Sequence, residues 1–312
     1  MATCVFIDGA AGTTGLEIRE RLAGRGEFAL LVLDDASRKD ETARRDALHA
    51  ADIAILCLPD DAAKEAVRLA AGSGTRIIDA SSAHRVAEGW TYGFPELIGR
   101  ERVADAQFVS NPGCYPSGFL ALVAPLVRSG LLPADWPYTV NAVSGYSGGG
   151  NALIDRFAAE RDLAFRAYGL SLGHKHLPEM QVYAALAHPP VFSPAVVPAH
   201  RGMVVDVPLP LAAMPEAVSA ADLRAALTDF YAGSAVVRVA DDSPAELLLR
   251  EGAQSDDGMM LYVFASADGT KARLVACLDN LGKGASGAAI QNLNLMCGLP
   301  ETAGLKLAAT PE

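Results

Sequence analysis

The chain is poor in several features that would place it in common protein classes. Its 312 residues include only five cysteines, which are Cys4, Cys57, Cys114, Cys277 and Cys297. They are odd in number, far apart and without C-x-x-C spacing, which predicts free thiols in a reducing compartment and gives no sign of a bound metal. Basic residues are outnumbered 26 to 37, for a formal net charge of −11. That charge argues against nucleic acid and against an anionic membrane surface as partners, but a few local cations can still bind anionic small molecules.

Recognisable targeting segments are also lacking. The N-terminal residues Met-Ala-Thr-Cys-Val-Phe-Ile-Asp-Gly have no basic start followed by a long apolar run, so they do not resemble a signal peptide. No apolar run reaches the length of a membrane span, and we find no internal repeat or low-complexity linker. We therefore expect a cytoplasmic protein. Its length favours two domains, and its 51% hydrophobic content is enough for a large core.

The first residues predict the beginning of a dinucleotide-binding unit. Cys4 to Ile7 is typical of a buried parallel strand, Asp8 to Gly15 is a glycine-rich turn, and Leu16 to Leu22 is an amphipathic helix. Small residues in such a turn let the backbone approach a pyrophosphate, which the helix N-terminus attracts. The spacing is G-x-x-G-x-x-G rather than the usual G-x-G-x-x-G, so a tight turn without a ligand remains an alternative.

The second predicted strand, Ala29 to Leu33, ends in conflicting signals for the cofactor. Asp34 and Asp35 follow it, and an acidic residue at this point often binds the ribose hydroxyls of NAD. Ser37-Arg38-Lys39 comes next, and this cluster is suited to a 2′-phosphate. These residues alone leave both NAD and NADP open, and a solvated loop is the alternative for the two cations.

Further parallel strands are predicted at 53–58, 76–78 and 107–110. The fourth strand leads into Asp79-Ala80-Ser81-Ser82-Ala83-His84-Arg85. Ligands gather at the carboxyl ends of parallel strands, so the two serine hydroxyls and Arg85 are candidates for binding an anionic substrate group. A capped loop with a surface arginine is the alternative. Asp60 is interpreted as the cap of the helix after the third strand.

Cys114 occupies the position on which the chain is organised. It follows the turn residues Asn111-Pro112-Gly113 and precedes Pro116 and a long apolar run that predicts a buried helix. A cysteine at a helix N-terminus is held as a nucleophilic thiolate by free N–H groups and the helix dipole. The alternative is a buried, inert cysteine.

Two later segments carry further polar chemistry. Four glycines between 145 and 150 predict a mobile or close-approach loop whose N–H groups could cradle an oxyanion. His174 and His176 flank a lysine just before Pro-Glu, and they suit a thiol partner and a proton donor. Structural histidines or a metal pair are the alternatives, although no third ligand is evident.

The remaining sequence predicts a second, β-rich domain. Runs at 203–209, 259–267 and 271–278 favour a mostly antiparallel sheet, and 222–231 favours a helix. A glycine-rich turn at 279–287 then precedes a last helix over 288–297, which we expect to return the chain to the first domain.

At this point the chain resembles the shorter members of the N-acetyl-γ-glutamyl-phosphate reductase family over nearly its whole length. The motifs that carry the resemblance are Asp-Gly-Ala-Ala-Gly-Thr-Thr-Gly at 8–15, Ser-Ser-Ala-His-Arg at 81–85, Tyr-Gly-Phe-Pro-Glu-Leu at 92–97, Ser-Asn-Pro-Gly-Cys-Tyr-Pro-Ser-Gly at 110–118, Ser-Gly-Tyr-Ser-Gly-Gly-Gly at 144–150, Gly-His-Lys-His-Leu-Pro-Glu at 173–179 and Asp-Asn-Leu-Gly-Lys-Gly-Ala-Ser-Gly at 279–287. Lys175, Ser117 and Gly149 depart from the usual Arg, Thr and Ala, and none of these changes removes a reacting group.

The resemblance implies an α/β fold of two domains. A Rossmann-type domain with a parallel sheet would span 1–113 and be completed by a C-terminal helix over 284–312. A catalytic and oligomerisation domain, α+β and similar to that of glyceraldehyde-3-phosphate dehydrogenase, would span 114–283. The family further implies NADP(H), an acyl-phosphate substrate and a homodimer or homotetramer.

The family pattern also implies roles for individual residues. Cys114 would be the nucleophile that forms a thioester, and His174 and His176 would be the active-site histidines, with His176 favoured as the thiol partner. The residues implied in cofactor binding are Gly9, Gly12, Thr13, Thr14, Gly15, Ser37, Arg38 and Asn280. Those implied in substrate binding or its support are Arg85, Ser144, Gly145 and Tyr168.

Three other functions remain alternatives on the sequence. Sister reductases such as aspartate-semialdehyde dehydrogenase or an aminoadipyl-phosphate reductase share the chemistry and differ in the acyl phosphate. A Cys–His acyl hydrolase or transferase would need the thiolate but no hydride, and the glycine-rich turn at 9–15 argues against it. A non-catalytic dinucleotide sensor would not need Cys114.

Overall fold

The computed structural model describes residues 2–308, which separate into two compact units. The first unit contains residues 2–113 and 285–305, and the second contains 114–284 and 306–308. Each unit is built around its own β-sheet.

The first unit has a six-stranded, entirely parallel sheet. Its strands are β1 (Thr3–Asp8), β2 (Phe28–Leu31), β3 (Ile53–Leu56), β4 (Arg76–Asp79), β5 (Thr91–Tyr92) and β6 (Phe108–Ser110). They lie in the order β2-β1-β3-β4-β6-β5. Every residue of β3 is buried, as expected for a continuous apolar strand covered on both faces. The predicted Rossmann-type parallel sheet is confirmed.

Helices cover both faces of this sheet. They are α1 (Thr13–Leu22), α2 (Glu41–Ala50), α3 (Asp60–Leu69), α4 (Pro95–Ile98) and α5 (Arg100–Ala104). Ile18 of α1 packs in the core on the face that carries Val5 and Ile7. Leu48 of α2 packs in the core on the opposite face. The alternation of inward side chains along β1 therefore supplies two separate cores.

The second unit has a seven-stranded mixed sheet. Its elements are α6 (Cys114–Arg128), β7 (Thr139–Gly145), α7 (Gly150–Ala159), β8 (Arg166–Ala167), α8 (Leu177–Tyr183), β9 (Val191–Val197), β10 (Met203–Leu209), α9 (Ala220–Phe230), β11 (Val237–Val239), β12 (Met259–Ala265) and β13 (Ala272–Leu278). The strand order is β11-β12-β13-β10-β7-β9-β8. Only the β11–β12 and β7–β9 pairings are parallel. The predicted mostly antiparallel sheet is therefore confirmed.

Helix α6 forms the centre of the second unit. All residues from Tyr115 to Leu126 are buried. It packs on β10, β12 and β13 and is itself covered by α8 and α9. A helix that is apolar all round can only be stable when it is enclosed in this way. The apolar run after Cys114 therefore places this cysteine at the beginning of an enclosed helix.

The C-terminal helix is shorter than the 284–312 expected from the resemblance. Helix α10 (Gly287–Met296) supplies Ile290 and Leu293 to the core of the first unit. It ends because Gly298 adopts a φ of 67° and Pro300 follows, a combination that stops helices. Lys306 then belongs to the second unit, where it exchanges two backbone and side-chain hydrogen bonds of 2.7 Å with Asp257. Residues 309–312 of the expected helix lie outside the described residues.

Within residues 2–308, no helix combines the length and apolar character that crossing a membrane requires. In the same range, no three His, Cys, Asp or Glu side chains gather as ligands of a metal ion would.

Candidate active site

The glycine-rich turn of the first unit passes directly over the end of β3. Gly9 has a φ of +87°, and a Cβ there would lie 2.3 Å from the Cys57 carbonyl oxygen. The Gly12 N–H donates to the Gly9 carbonyl over 3.1 Å, and α1 begins at Thr13. Only glycine permits both the left-handed backbone and this close approach at position 9. The turn therefore presents its backbone and the N-terminus of α1 at the carboxyl end of the sheet.

A cleft of about 990 Å³ opens beside this turn. It is lined by Gly9 and Gly12, by Asp34 and Asp35 in the turn that follows β2, and by a group of cations. These cations are Arg19, Arg38, Lys39 and Arg44. A helix N-terminus together with side-chain cations favours bound phosphates. Of the predicted cofactor residues, Gly9, Gly12 and Arg38 thus line one cleft, and Thr13, Thr14 and Gly15 form the first turn of α1 beside it.

The conflicting acidic and basic residues after β2 are paired with one another. Asp34 accepts a 2.8 Å hydrogen bond from the Ser37 N–H. Hydrogen bonding from Ser37, chiefly from its side chain, holds the pKa of Asp34 below its ordinary value. Arg38 pairs with Asp35 at 2.8 Å. The two carboxylates therefore organise the turn that carries Ser37 and Arg38.

A buried ion pair stands at the floor of the same cleft. The Arg44 guanidinium donates to the Asp8 carboxylate at 2.8 and 3.0 Å. Burial raises the pKa of Asp8, and Arg44 opposes that shift. The sequence analysis missed Arg44 because it predicted no helix at α2, so nothing placed this arginine at the end of β1.

The serine hydroxyls of the Ser-Ser-Ala-His-Arg segment are not directed to a ligand. Ser81 donates to Asp79 at 2.7 Å, and Ser82 donates to Asp60 at 2.7 Å. Asp60 therefore does not cap α3, which has no side-chain cap. Arg85 is buried and donates to the carbonyl of Asn111 at 3.1 Å. The segment is thus a braced loop whose arginine holds the turn that leads to residue 114.

In the second unit, Cys114 is the first residue of α6 and is half-buried. A Cβ on Gly284 would lie 2.8 Å from the Cys114 Cβ. Cys114, the predicted nucleophile, therefore lies at a helix N-terminus with a glycine backbone packed against it. The predicted position of Cys114 at the beginning of a buried helix is confirmed.

Tyr115, the next residue, contacts other ring side chains close to Cys114. Its hydroxyl donates to the Ala195 carbonyl at 3.1 Å. Its ring lies 6.3 Å from the ring of His174 and 6.0 Å from that of His176. Burial raises the pKa of the Tyr115 phenol, so it stays protonated and neutral. The sequence analysis missed Tyr115, although its place directly after Cys114 was a signal that could have identified it.

The two histidines are adjacent and have different surroundings. Their rings are 4.6 Å apart; His176 is buried and His174 is half-buried. The backbone N–H of His176 donates to Nδ1 of His174 at 3.2 Å. In its neutral form His174 must therefore carry its proton on Nε2, where it can donate to an oxygen.

The hydroxyl of Tyr168 is hydrogen-bonded to that of Tyr115, and its ring lies 5.7 Å from the His174 ring. Burial raises the pKa of Tyr168 as well. The structure thus brings four of the predicted or newly found residues into one cluster with the nucleophile. We refer to Cys114, Tyr115, Tyr168, His174 and His176 as the thiol cluster.

The glycine-rich segment after β7 is folded rather than open. Tyr146–Gly149 forms a 3₁₀ turn, and the N–H of Gly145 donates to the Gly202 carbonyl at 2.8 Å. Ser144 donates its hydroxyl to the Gly145 carbonyl and also lies within hydrogen-bonding reach of the Tyr115 hydroxyl. The N–H groups at the start of this segment are therefore engaged by the protein, contrary to an open oxyanion cradle.

Asn280, predicted to contact the cofactor, braces two turns of the second unit. Its Oδ1 accepts from the Gly202 N–H at 2.9 Å, and its Nδ2 donates to Ser147 at 2.9 Å. The neighbouring Asp279 pairs with Arg201 at 2.7 Å. These bonds give Asn280 a structural role within its own unit, and the cofactor role stays a prediction.

Comparison with known proteins places both units in one family of sequences. Residues 4–106 match the family described as semialdehyde dehydrogenase, NAD binding domain, and residues 114–280 match semialdehyde dehydrogenase, dimerisation domain. The N-acetyl-gamma-glutamyl-phosphate reductase of Trichormus variabilis is 50% identical over 318 residues, covering 96% of this chain and 98% of the relative. That of Brucella ovis is 52% identical over 305 residues, covering 94% and 98%.

A solved structure confirms the fold without bearing on the substrate. Aspartate semialdehyde dehydrogenase II from Vibrio cholerae superposes with a TM-score of 0.72 over 96% of this chain and 99% of that chain. Its sequence identity is only 18%. At that identity the likeness is one of architecture alone.

Proposed function

The chain belongs to the N-acetyl-gamma-glutamyl-phosphate reductase family, and on that premise we propose that it reduces N-acetyl-L-glutamyl 5-phosphate to N-acetyl-L-glutamate 5-semialdehyde and phosphate with NADPH, a step of arginine biosynthesis. The observation that carries the proposal is the thiol cluster. It places a cysteine at a helix N-terminus and two histidines around the next side chain.

The first half of the reaction is acyl transfer to Cys114. The thiolate attacks the γ-acyl carbon, a C–S bond forms, and the bond from that carbon to the phosphate oxygen breaks to release phosphate. The N-terminus of α6 stabilises the attacking thiolate, and the packing of Gly284 against Cys114 fixes its position. The product is a thioester on Cys114.

The second half converts the thioester to the aldehyde. When bound, the cofactor supplies the hydride that adds to the thioester carbonyl carbon. His176 acts as thiol partner and protonates the oxygen of the resulting hemithioacetal, while His174 holds that oxygen with its Nε2 proton. His176 then takes the hydroxyl proton back as the C=O bond reforms and the C–S bond breaks, which releases the semialdehyde and returns the thiolate.

The first unit has the features that an NADP(H) site requires. Gly15 cannot carry a side chain, because a Cβ there would lie 2.4 Å from the Gly9 carbonyl oxygen, so the turn stays low beside the helix N-terminus. Pyrophosphate fits this turn, and Arg38, with Lys39, fits a 2′-phosphate. The Asp34 carboxylate already accepts the Ser37 N–H, so one of its acceptor positions is engaged by the protein. In the same proposal, Arg85, Ser144 and Gly145 support the substrate site by bracing its loops.

We further propose that the second unit associates with another copy of the chain through the face of its sheet opposite α6. On that face three rows of side chains cross the neighbouring strands β10, β13 and β12. One of these rows consists of Val204, Cys277 and Met260. Tyr262 and Phe264 stack there with ring centroids 5.9 Å apart, and both are half-buried in a single chain. A half-apolar sheet face of this size suits burial against a second sheet. The match to a family described as a dimerisation domain supports this proposal.

The reaction is tested in reverse, because acyl phosphates are unstable. The purified protein is given N-acetylglutamate semialdehyde, phosphate and NADP or NAD, and absorbance of the reduced nicotinamide is followed. We expect phosphate-dependent reduction of NADP that is abolished by Cys114→Ser. Activity with aspartate semialdehyde but not with N-acetylglutamate semialdehyde would mean that the chemistry is as proposed but the substrate is different. Near-full turnover by Cys114→Ser would exclude the thioester route.

The association is tested by light scattering of Phe264→Asp against the unaltered protein. We expect the molar mass to fall by a factor of about two, because a buried unpaired charge opposes sheet packing. An unchanged mass with an intact fold would exclude this face as the interface.

A further inference from the structure

Arg166 lies on β8, the edge strand of the second sheet, beside β9, whose Ala195 carbonyl accepts the Tyr115 hydroxyl. In the β8–β9 pairing, Arg166 is opposite Val196 and Ala167 is opposite Ala195. The Ala195 carbonyl is the one that accepts the Tyr115 hydroxyl. The register of this short strand therefore sets Arg166 next to the backbone that anchors the residue after the nucleophile.

Arg166 also contacts the thiol cluster directly. Residues two apart on a strand share a face, and the Arg166 guanidinium lies over the Tyr168 ring with its central carbon 4.5 Å from the ring centroid. Tyr168 in turn is hydrogen-bonded to Tyr115 and adjoins His174. The ring holds the guanidinium plane in place while leaving its N–H groups at the edge for another partner.

No acidic side chain of the described residues neutralises this guanidinium. Within residues 2–308 the Arg166 side chain makes no hydrogen bond or ion pair, and the residue is half-buried. Other arginines of the same unit are paired, as Arg201 is with Asp279 and Arg273 with Asp206. In a chain of net charge −11, an oriented and unneutralised arginine beside a nucleophile is a site for an anion.

We propose that Arg166 binds the α-carboxylate of the substrate, the anionic group farthest from the acyl phosphate. This inference rests on the proposed function, since it assumes an acyl phosphate that carries a second anion. The phosphoryl group leaves from the carbon that Cys114 attacks, at the N-terminus of α6. Arg166 reaches the thiol cluster through the Tyr168 ring, and the proposal places it at the end of the substrate remote from the carbon that Cys114 attacks.

The planar fork of an arginine matches both oxygens of a carboxylate, so this contact selects substrates by their charge at that end. An aldehyde with the same chain and acetamido group but no carboxylate would lose this contact and retain all the others. Arg166 is thereby the specificity-determining residue for the α-carboxylate.

The test compares two aldehydes in the reverse reaction with NADP and phosphate. One is N-acetylglutamate semialdehyde, and the other is 4-acetamidobutanal, which lacks only the carboxylate. Arg166→Gln should lower kcat/KM for the first by roughly 10–100-fold and leave kcat/KM for the second within about twofold. Arg161→Gln is the matched control, because it removes an exposed arginine from the same unit and should change neither value.

Two results would overturn the inference. An equal loss with both aldehydes would mean that Arg166 only positions Tyr168 and the histidines. A rise in KM for phosphate, with the preference between aldehydes unchanged, would mean that it binds the phosphoryl group. If the unaltered protein uses neither aldehyde, the proposed function fails instead, and that outcome is read before any variant is compared.

Discussion

Replacing Gly284 by alanine should displace the nucleophile and slow the reaction far more than it destabilises the fold. The added Cβ would lie 2.8 Å from the Cys114 Cβ and 3.1 Å from the Asp279 carbonyl oxygen. Carbon atoms in contact settle at about 3.5–4.0 Å, so the two Cβ atoms must move apart by roughly 0.7–1.2 Å. The segment cannot retreat, because Gly282 in the same π-helical turn already packs against the backbone of Asp256. Cys114 must therefore give way.

A displacement of this size is expected to lower kcat/KM by roughly 10–100-fold, because moving a reacting atom by about an ångström takes it out of the geometry required for attack. Overpacking should reduce the free energy of unfolding by about 1–3 kcal/mol. Both quantities are measured, by the reverse reaction with NADP and by urea unfolding. Gly252→Ala is the control, since a Cβ there meets nothing within 4 Å. Activity of Gly284→Ala within twofold of the unaltered protein would refute the claim that this glycine positions the nucleophile.

Three further outcomes are expected. Tyr115→Phe removes the hydrogen bond to the Ala195 carbonyl and should lower the free energy of unfolding by about 1–2 kcal/mol in urea titrations; unaltered stability would contradict the role given to this bond. Ser37→Ala should raise the pKa of Asp34 toward its ordinary value of 3.8, measured by carboxyl NMR, because Ser37 is the main cause of its lowering. Since that pKa is lower in the folded chain, the stabilisation is present above pH 3.8 and is lost as the pH falls through the folded value. Burial raises the pKa of Cys57 to about 12, so only about one in 10⁵ of its thiols is ionised at pH 7, and peptide mapping should find it unlabelled by iodoacetamide.

The sequence predicted the elements whose signals are local. A short apolar run closed by turn residues is typical of a buried strand, and β3 is buried at every position. The glycine turn before α1 and the Asn-Pro-Gly turn before α6 are also local, because glycine and proline restrict the backbone wherever they occur. The helix N-terminus at Cys114 follows from its neighbours alone.

Elements that are not bounded by glycine or proline turn residues were missed. Helix α2 is capped by Asp40, whose carboxylate accepts from the Ala43 N–H, yet its polar composition gives little apolar periodicity. The absence of this helix from the prediction concealed Arg44 and its pair with Asp8. When a side chain reaches a site from a neighbouring helix, the sequence motif of that site does not reveal it.

Polar motifs were located correctly and their partners were not. The hydroxyls of Ser81 and Ser82 follow β4 as predicted, and they donate to Asp79 and Asp60 instead of a ligand. In the same way, the first N–H groups of the glycine segment after β7 donate hydrogen bonds to carbonyls of the turn at 199–202. Hydrogen bonds between residues distant in the chain depend on which loops the fold brings together, and a motif does not contain that information.

The sequence by itself determined the parallel and mixed sheets and the glycine-containing turns before α1 and α6, because each depends on residues that are neighbours in the chain; the role of Cys114 as nucleophile stays a prediction. Only the tertiary structure decided how the nucleophile is surrounded. Tyr115 meets His174 and His176 because α6 packs on a sheet whose edge carries β8 and β9. These contacts join residues about sixty positions apart in the chain, and packing, rather than local propensity, brings such residues together.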